Sequence, residues 1–261
     1  MSGSTDSGHL DIAPHRLEYK FLGPRPDTAP TLVLLHEGLG SVGLWGDFPD
    51  QLAAITGLGV FAYSRAGYGR SSPVTLPRPL SFMNDEAKDV LPRVLDAIGF
   101  QRGLLVGHSD GASIVAIHAG GVEDHRVKGA VLIAPHFFTE TVGLAEIARA
   151  KQAYDSGELR GKLARWHDDV DNAFRGWNDA WLDPDFRTWD ITNVLAYIRM
   201  PLLVVQGAAD QYGTARQVEV VAQECYCPVE TRLLPGVRHS PHREAPEVLI
   251  GEIAQFVKRV L

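Results

Sequence analysis

Residues 104 to 120 read LLVGHSDGASIVAIHAG, with Gly107 and Gly111 set symmetrically about Ser109. An apolar run leads into this triplet, and Ala112, Val115, Ala116 and Ala119 recur at helical spacing as the chain leaves it. The pattern is strand, tight turn, helix. Composition alone yields a G-x-S-x-G match by accident about 0.1 times in this chain. The match therefore gains its weight from the strand before it and the helix after it. A serine on such a turn is presented at a strand end, beside a helix N-terminus whose free N–H groups can stabilise an anion. The flanking glycines let strand and helix approach each other closely.

Working outward, TLVLLH (31–36), GVFAYS (59–64), GLLVGH (103–108), KGAVLIAP (128–135) and PLLVVQG (201–207) are apolar without alternation. Such runs suit strands covered on both faces, as in a parallel sheet. Helical patterns lie between them, including NDEAKDVLPRVLDAIG (84–99) and PEVLIGEIAQFVKRV (246–260). The second opens on Pro246 and Glu247 and closes on Lys258 and Arg259, as the helix dipole favours. This alternation predicts a doubly wound α/β fold, with a mostly parallel sheet and helices on both faces. The chain has no internal repeat, and its only low-complexity stretch is the polar N-terminal dozen.

One segment interrupts the alternation. Residues 137–193 offer no strand, while Leu159, Leu163, Trp166, Val170, Phe174, Trp177 and Trp181 follow helical spacing. The expected organisation is a core of residues 1–136 and 194–261 with a helical insertion at 137–193. Trp166, Trp177 and Trp181 are candidate substrate contacts within that insertion, and packing alone also accounts for such rings. His136, directly after the run 128–135, is a further candidate contact for a polar group of the substrate.

A serine hydroxyl needs a base, and a base needs a group to orient it. His239, in the loop LLPGVRHSPHREAPE (233–247), is the candidate base, lying nearer the preceding strand end than its rival His242. Asp210, in VVQGAADQYG (204–213), follows another strand and is the candidate orienting carboxylate.

These residues together resemble the α/β-hydrolase family over nearly the whole chain. His36-Glu37-Gly38-Leu39-Gly40 is similar to the family's oxyanion-loop motif, Arg65 to Ser71 to its Gly-rich turn, and Gly107 to Gly111 to its nucleophile elbow. Asp210 and His239 fall where the family places its acid and base, in the order Ser, Asp, His. The insertion at 137–193 falls where the family carries a helical cap. The resemblance implies an oxyanion hole from the backbone N–H groups of Gly38 and Asp110. Two positions depart from the family pattern: Glu37 stands where Gly is usual, and Asp110 where apolar residues or Gln are common. We expect Glu37 to turn from the pocket and pair with Arg65.

The chemistry implied is cleavage of a small carboxylic ester, lactone or thioester through an acyl-enzyme, with no cofactor. Hydrolysis of a carbon–carbon bond by the same three residues, and a ligand receptor with little turnover, are the alternatives. The turn at 67–72 has Ser72 where a dinucleotide loop needs its third glycine, which argues against nucleotide binding. His239 and His242 lack a matched third ligand, so no metal is expected. Hydrophobic residues at 45%, charged residues at 22% and a net charge of −7 without a Lys/Arg cluster argue against nucleic acid and membrane partners. The expected partner is a small-molecule substrate, with a homodimer left open. Cys225 and Cys227 lie too close in sequence to staple distant parts of the fold. Without a basic and apolar leader in the first thirty residues, a cytoplasmic location is expected.

Overall fold

In the computed structural model, which describes residues 5–261, the five unalternated runs become central strands of one eight-stranded sheet. The strands are β1 (Thr5–Ile12), β2 (His15–Leu22), β3 (Thr31–Leu35), β4 (Gly59–Tyr63), β5 (Gly103–His108), β6 (Val127–Ile133), β7 (Leu202–Gly207) and β8 (Val229–Leu234). Their order is β1-β2-β4-β3-β5-β6-β7-β8, parallel from β4 to β8 and antiparallel in the hairpin β1-β2 and its junction with β4.

The central strands are apolar throughout because both faces are covered. Val33, Leu35, Leu105, Leu132 and Val204 enter one core, while Leu32, Leu34, Val106, Val131, Ile133 and Val205 enter the other. The second core is closed by α1 (Phe48–Thr56), through Phe48 and Leu52, and by the C-terminal helix Pro246–Val260. The first is closed in part by the helical stretch 82–97. That stretch runs as α2 (Phe82–Asp85), a wider π turn over Glu86–Val90, and α3 (Leu91–Ala97). Pro92 has no N–H to return to the preceding turn, and the wider turn accommodates it. The helix α4 (Asp110–Gly121) lies on this same face, buried from Asp110 to Ala119.

The N-terminal residues differ from expectation. Residues 5–12 of the polar dozen form β1; the first four lie outside the described residues. β1 is an edge strand that buries only Ile12 fully, so the backbone pairing that defines it leaves little apolar signal.

Between β6 and β7 stand α5 (Thr141–Asp155), α6 (Glu158–Leu163), α7 (Val170–Trp181) and two short 3₁₀ turns; a bridge between Phe138 and Asp190 closes the segment at its base. The helical spacing of residues 159–181 is broken between α6 and α7, where Asp169 caps α7 by accepting from Asn172 N–H at 2.9 Å. α8 (Arg216–Glu224), α9 (Pro241–Glu244) and α10 (Pro246–Val260) complete the chain. No helix among the described residues is long and apolar enough to cross a membrane.

Parallel register brings the ends of β3, β5, β6 and β7 level. Leu35 pairs with Gly107, His108 with Ile133, and Ile133 with Val205. In open α/β sheets, ligands bind beyond such carboxyl ends. At this edge a Cβ on Gly111 would overlap the backbone carbonyl of Leu35, and one on Gly107 would overlap the backbone at Gly111 and Ala112. We expect Gly111→Ala to force β3 and α4 apart and lower stability by about 1–3 kcal/mol, measured by urea unfolding.

Candidate active site

The turn from β5 into α4 holds Ser109 at φ 53°, ψ −119°, a left-handed conformation that L-residues avoid. Its N–H donates to the Ile133 carbonyl at 2.9 Å, and its own carbonyl accepts from Ala112 N–H at 2.8 Å. The turn is thus pinned on both sides. Oγ of Ser109 lies 2.9 Å from Nε2 of His239, in the loop after β8, and Nδ1 of His239 lies 2.9 Å from both carboxylate oxygens of Asp210, in the loop after β7. Asp210 also accepts from Tyr212 N–H at 2.8 Å. Burial pushes its carboxyl up, but the hydrogen bonds from His239 and Tyr212 and the His239 charge prevail, leaving it below its ordinary range. An ionised Asp210 fixes the His239 tautomer with Nδ1 protonated and Nε2 facing Ser109.

Around this line lies a cavity of about 180 Å³, with apolar walls from Leu39, Ile147, Trp177 and Trp181. The carboxyl residues in its lining are Glu37, Asp110 and Glu140, beside the histidines His108, His136 and His239. Asp110 is buried, and its Oδ1 accepts from Trp181 Nε1–H at 3.2 Å. Its other oxygen has no partner, and burial raises the carboxyl above its usual range. Glu140 accepts from the Thr214 and Gln217 side chains, which tie α5 to the loop after β7. Neither Gly38 N–H nor Asp110 N–H has a hydrogen-bond acceptor among the described residues.

His136 lines the same cavity, its ring 5.4 Å from Trp181 and 5.6 Å from His239. Its carbonyl accepts from Ser113 Oγ at 2.6 Å, and the next residue, Phe137, donates to Gln217 at 2.7 Å. The imidazole is positioned by its backbone. Burial, helped by the nearby His239, lowers its pKa to about 3.

Two expectations need correction, and the rival base, His242, can be placed. Trp166 lies outside the cavity lining: it is 43% exposed and packs on Gly43, because the helix break after Leu163 removes it from the phase of Trp177 and Trp181. Glu37 does not pair with Arg65 through its side chain. Arg65 instead donates through its two terminal nitrogens to the backbone carbonyls of His36 and Glu37. The Glu37 carboxylate remains in the cavity wall, 3.3 Å from His108 Nδ1 and 3.6 Å from Arg243. His242 is packed between Trp45, Phe48 and His108, and neither ring nitrogen has a partner. Burial depresses its pKa far below the ordinary value.

The loop after β3 is held with equal definition. His36 Nε2 lies 3.0 Å from Arg65 N–H, an obligate donor, so Nδ1 must carry the proton given to the Glu37 carbonyl at 2.7 Å. His167, from the break between α6 and α7, accepts from Gly69 N–H at 2.9 Å and reaches the Leu39 carbonyl at 3.1 Å. Trp177 lies where a side chain on Gly38 would stand. Sequence reasoning missed His167, Glu140, Tyr212 and His108. Only His108, inside the G-x-S-x-G pattern, carried a local signal.

Residues 32–252 match the model of the alpha/beta hydrolase family, and the chain belongs to that family. It is 31% identical over 117 residues to human (Lyso)-N-acylphosphatidylethanolamine lipase, covering 45% of this chain and only 33% of the lipase. A non-heme chloroperoxidase of Streptomyces lividans is 26% identical over 276 residues, covering 92% of this chain and 95% of its own. The structure of a 2-hydroxy-6-oxo-6-phenylhexa-2,4-dienoate hydrolase from Rhodococcus sp. superimposes with a TM-score of 0.82 across 99% of this chain and 100% of that one. At 15% identity that likeness concerns the fold alone.

His136 has a consequence for acid stability. Between pH 6.5 and about 3 the unfolded chain protonates this imidazole and the folded chain does not, so stability falls as pH falls through that window. We expect a loss of about 2 kcal/mol between pH 6.5 and 5 from this group. His136→Gln should flatten the profile of unfolding free energy against pH by that amount.

Proposed function

We propose that the protein is a serine hydrolase that cleaves a small, uncharged carboxylic ester, lactone or thioester through an acyl-enzyme. The observation that carries this reading is the unbroken hydrogen-bond line from Ser109 through His239 to Asp210. His239 takes the Ser109 proton as Oγ attacks the acyl carbon. The tetrahedral oxyanion is stabilised by the N–H groups of Gly38 and Asp110, at the end of α4 where the helix dipole also favours negative charge. His239 then protonates the leaving group, and in the second half it activates the water that releases the acid. Residues 137–193 act as a cap over the acyl group, through Trp177 and Trp181.

Size and charge narrow the substrate. A cavity of about 180 Å³ is small beside the roughly 300–1,000 Å³ of ordinary ligand pockets, which suits a short acyl portion. Its lining has three carboxyl groups and neither Lys nor Arg. A substrate that carries its own carboxylate, such as a dienoate, meets those carboxyl groups with no Lys or Arg in the lining to pair with. The neutral His136 ring offers one donor and one acceptor, which suits a hydroxyl or carbonyl on the substrate.

Reaction with a fluorophosphonate probe tests the nucleophile: wild type should be labelled at Ser109, and Ser109→Ala should lose both labelling and ester turnover while keeping its unfolding midpoint. Labelling that survives in the variant would place the nucleophile elsewhere. Asp210→Asn should lower kcat by about 10³–10⁴ through the wrong imidazole tautomer.

Charge discrimination has its own measurement. 4-Nitrophenyl butyrate should exceed the similarly sized, anionic 4-nitrophenyl hemisuccinate in kcat/KM by about tenfold or more, since like charges brought together oppose binding. Equal rates would contradict the uncharged substrate.

A further inference from the structure

Three segments must stay in register around Ser109: the loop after β3 with Gly38, the turn after β5 with Ser109, and the loop after β8 with His239. His108, the residue before the nucleophile, bonds to both of the other segments. Its Nε2 lies 2.8 Å from the backbone carbonyl oxygen of His239, and its Nδ1 lies 3.3 Å from Oε2 of Glu37. A peptide carbonyl can only accept. Glu37 can only accept as well when ionised. Burial pushes its carboxyl up, but the hydrogen bond from His108 and the nearby Arg243 guanidinium hold it well below the usual range. A neutral imidazole has one N–H and would turn a lone pair toward one of these two acceptors.

We propose that His108 carries a proton on both ring nitrogens, and that the His108–Glu37 ion pair is a positioning device locking the Gly38 and His239 loops to the nucleophile turn. The groups around it fit that role. Arg243 of α9 lies 3.6 Å from the other Glu37 oxygen and donates to the Leu44 carbonyl at 2.7 Å. Arg65 holds the backbone of the same loop from β4. His242, its ring 4.7 Å from that of His108, is kept neutral by burial among Trp45 and Phe48 and so adds no opposing charge. The His239 ring, 5.2 Å away, and Trp45, at 6.3 Å, complete its surroundings.

The pair also removes a conflict. A lone carboxylate at position 37 would repel the oxyanion expected beside Gly38, whereas one neutralised by an adjacent imidazolium does not. Glycine, usual in the family at this position, has no side chain with which to reach His108. Glu37 thus adds a cross-link between loops without adding net charge to the site.

This inference rests on Ser109 as nucleophile and His239 as base, and the test separates the two readings. In ¹⁵N-histidine spectra at pH 8, one histidine should show two N–H nitrogens. That signal should vanish in His108→Asn, persist in Ser109→Ala, and change to a neutral ring in Glu37→Gln. A singly protonated His108 in wild type would overturn the pair. In kinetics, Glu37→Ala should lower kcat and the fluorophosphonate labelling rate together by 10- to 100-fold with KM little changed. The double variant Glu37→Ala/His108→Asn should be no slower than the slower single variant. A variant with a lower unfolding midpoint but undiminished labelling at 25 °C would make the pair merely structural and overturn the proposal. Wild type that resists labelling altogether would sink the nucleophile reading, while the spectra would still decide the protonation of His108.

Discussion

The contact between Gly111 and the Leu35 carbonyl sets the position of everything else at the site. Parallel strands β3 and β5 are about 5 Å apart, and α4 can begin above their junction only where no side chain intervenes. That closeness forces the chain to turn within one residue, and Ser109 takes the positive φ that results. Strain of this kind costs about 1–3 kcal/mol and persists only where the surroundings over-determine it. Here they do, since α4 is buried from Asp110 to Ala119. The same turn leaves the first N–H groups of α4 free of intrahelical partners and directs them toward the cavity edge.

Electrostatics at the site follow from burial. Desolvation acts on every ionisable group near Ser109, and hydrogen bonds decide which of them stay charged. Asp210 has four donors and stays below its ordinary range; Asp110 has one and is raised. His36, His136 and His242 have no carboxylate held against them by a hydrogen bond, and all three are lowered. Arg65 remains a buried cation because two carbonyls and the ring of Tyr68, 5.3 Å away, replace its water.

The central strands, α4 and α10 are legible in the sequence because burial on two faces, or along one helical stripe, leaves an apolar period. Ser109, Asp210 and His239 are legible for another reason: the first two follow strong strand signals and the third a short apolar one, and the structure brings all three into one hydrogen-bonded line. β1 is not, since backbone pairing at an edge makes no demand on side chains. Trp166 misleads because helical spacing continues across a break that only Asp169 announces. Arg65 misleads because proximity at a sheet edge does not say whether a guanidinium meets a carboxylate or the carbonyls beside it. The carbonyls prevail here: they are fixed by β3, whereas the Glu37 side chain is free to reach His108 and Arg243.

The helix break after Leu163 also changes how the insertion relates to the site beneath it. A continuous helix would touch the β3 loop through side chains alone. The break instead lets His167 bond to Gly69 and Leu39, and lets Asp168 N–H donate to the Gly69 carbonyl at 2.9 Å. At about 1 kcal/mol for each such bond, moving this corner away would forfeit one hydrogen bond to the loop that carries Gly38, at Leu39, and two to the turn after β4, at Gly69. The corner is therefore part of the scaffold of that loop, and α5 and the far end of α7 have fewer such ties to it. Loss of His167 would act on Gly38 before it acted on the tryptophans, although the residue stands in the covering segment and touches no part of the line from Ser109 to Asp210.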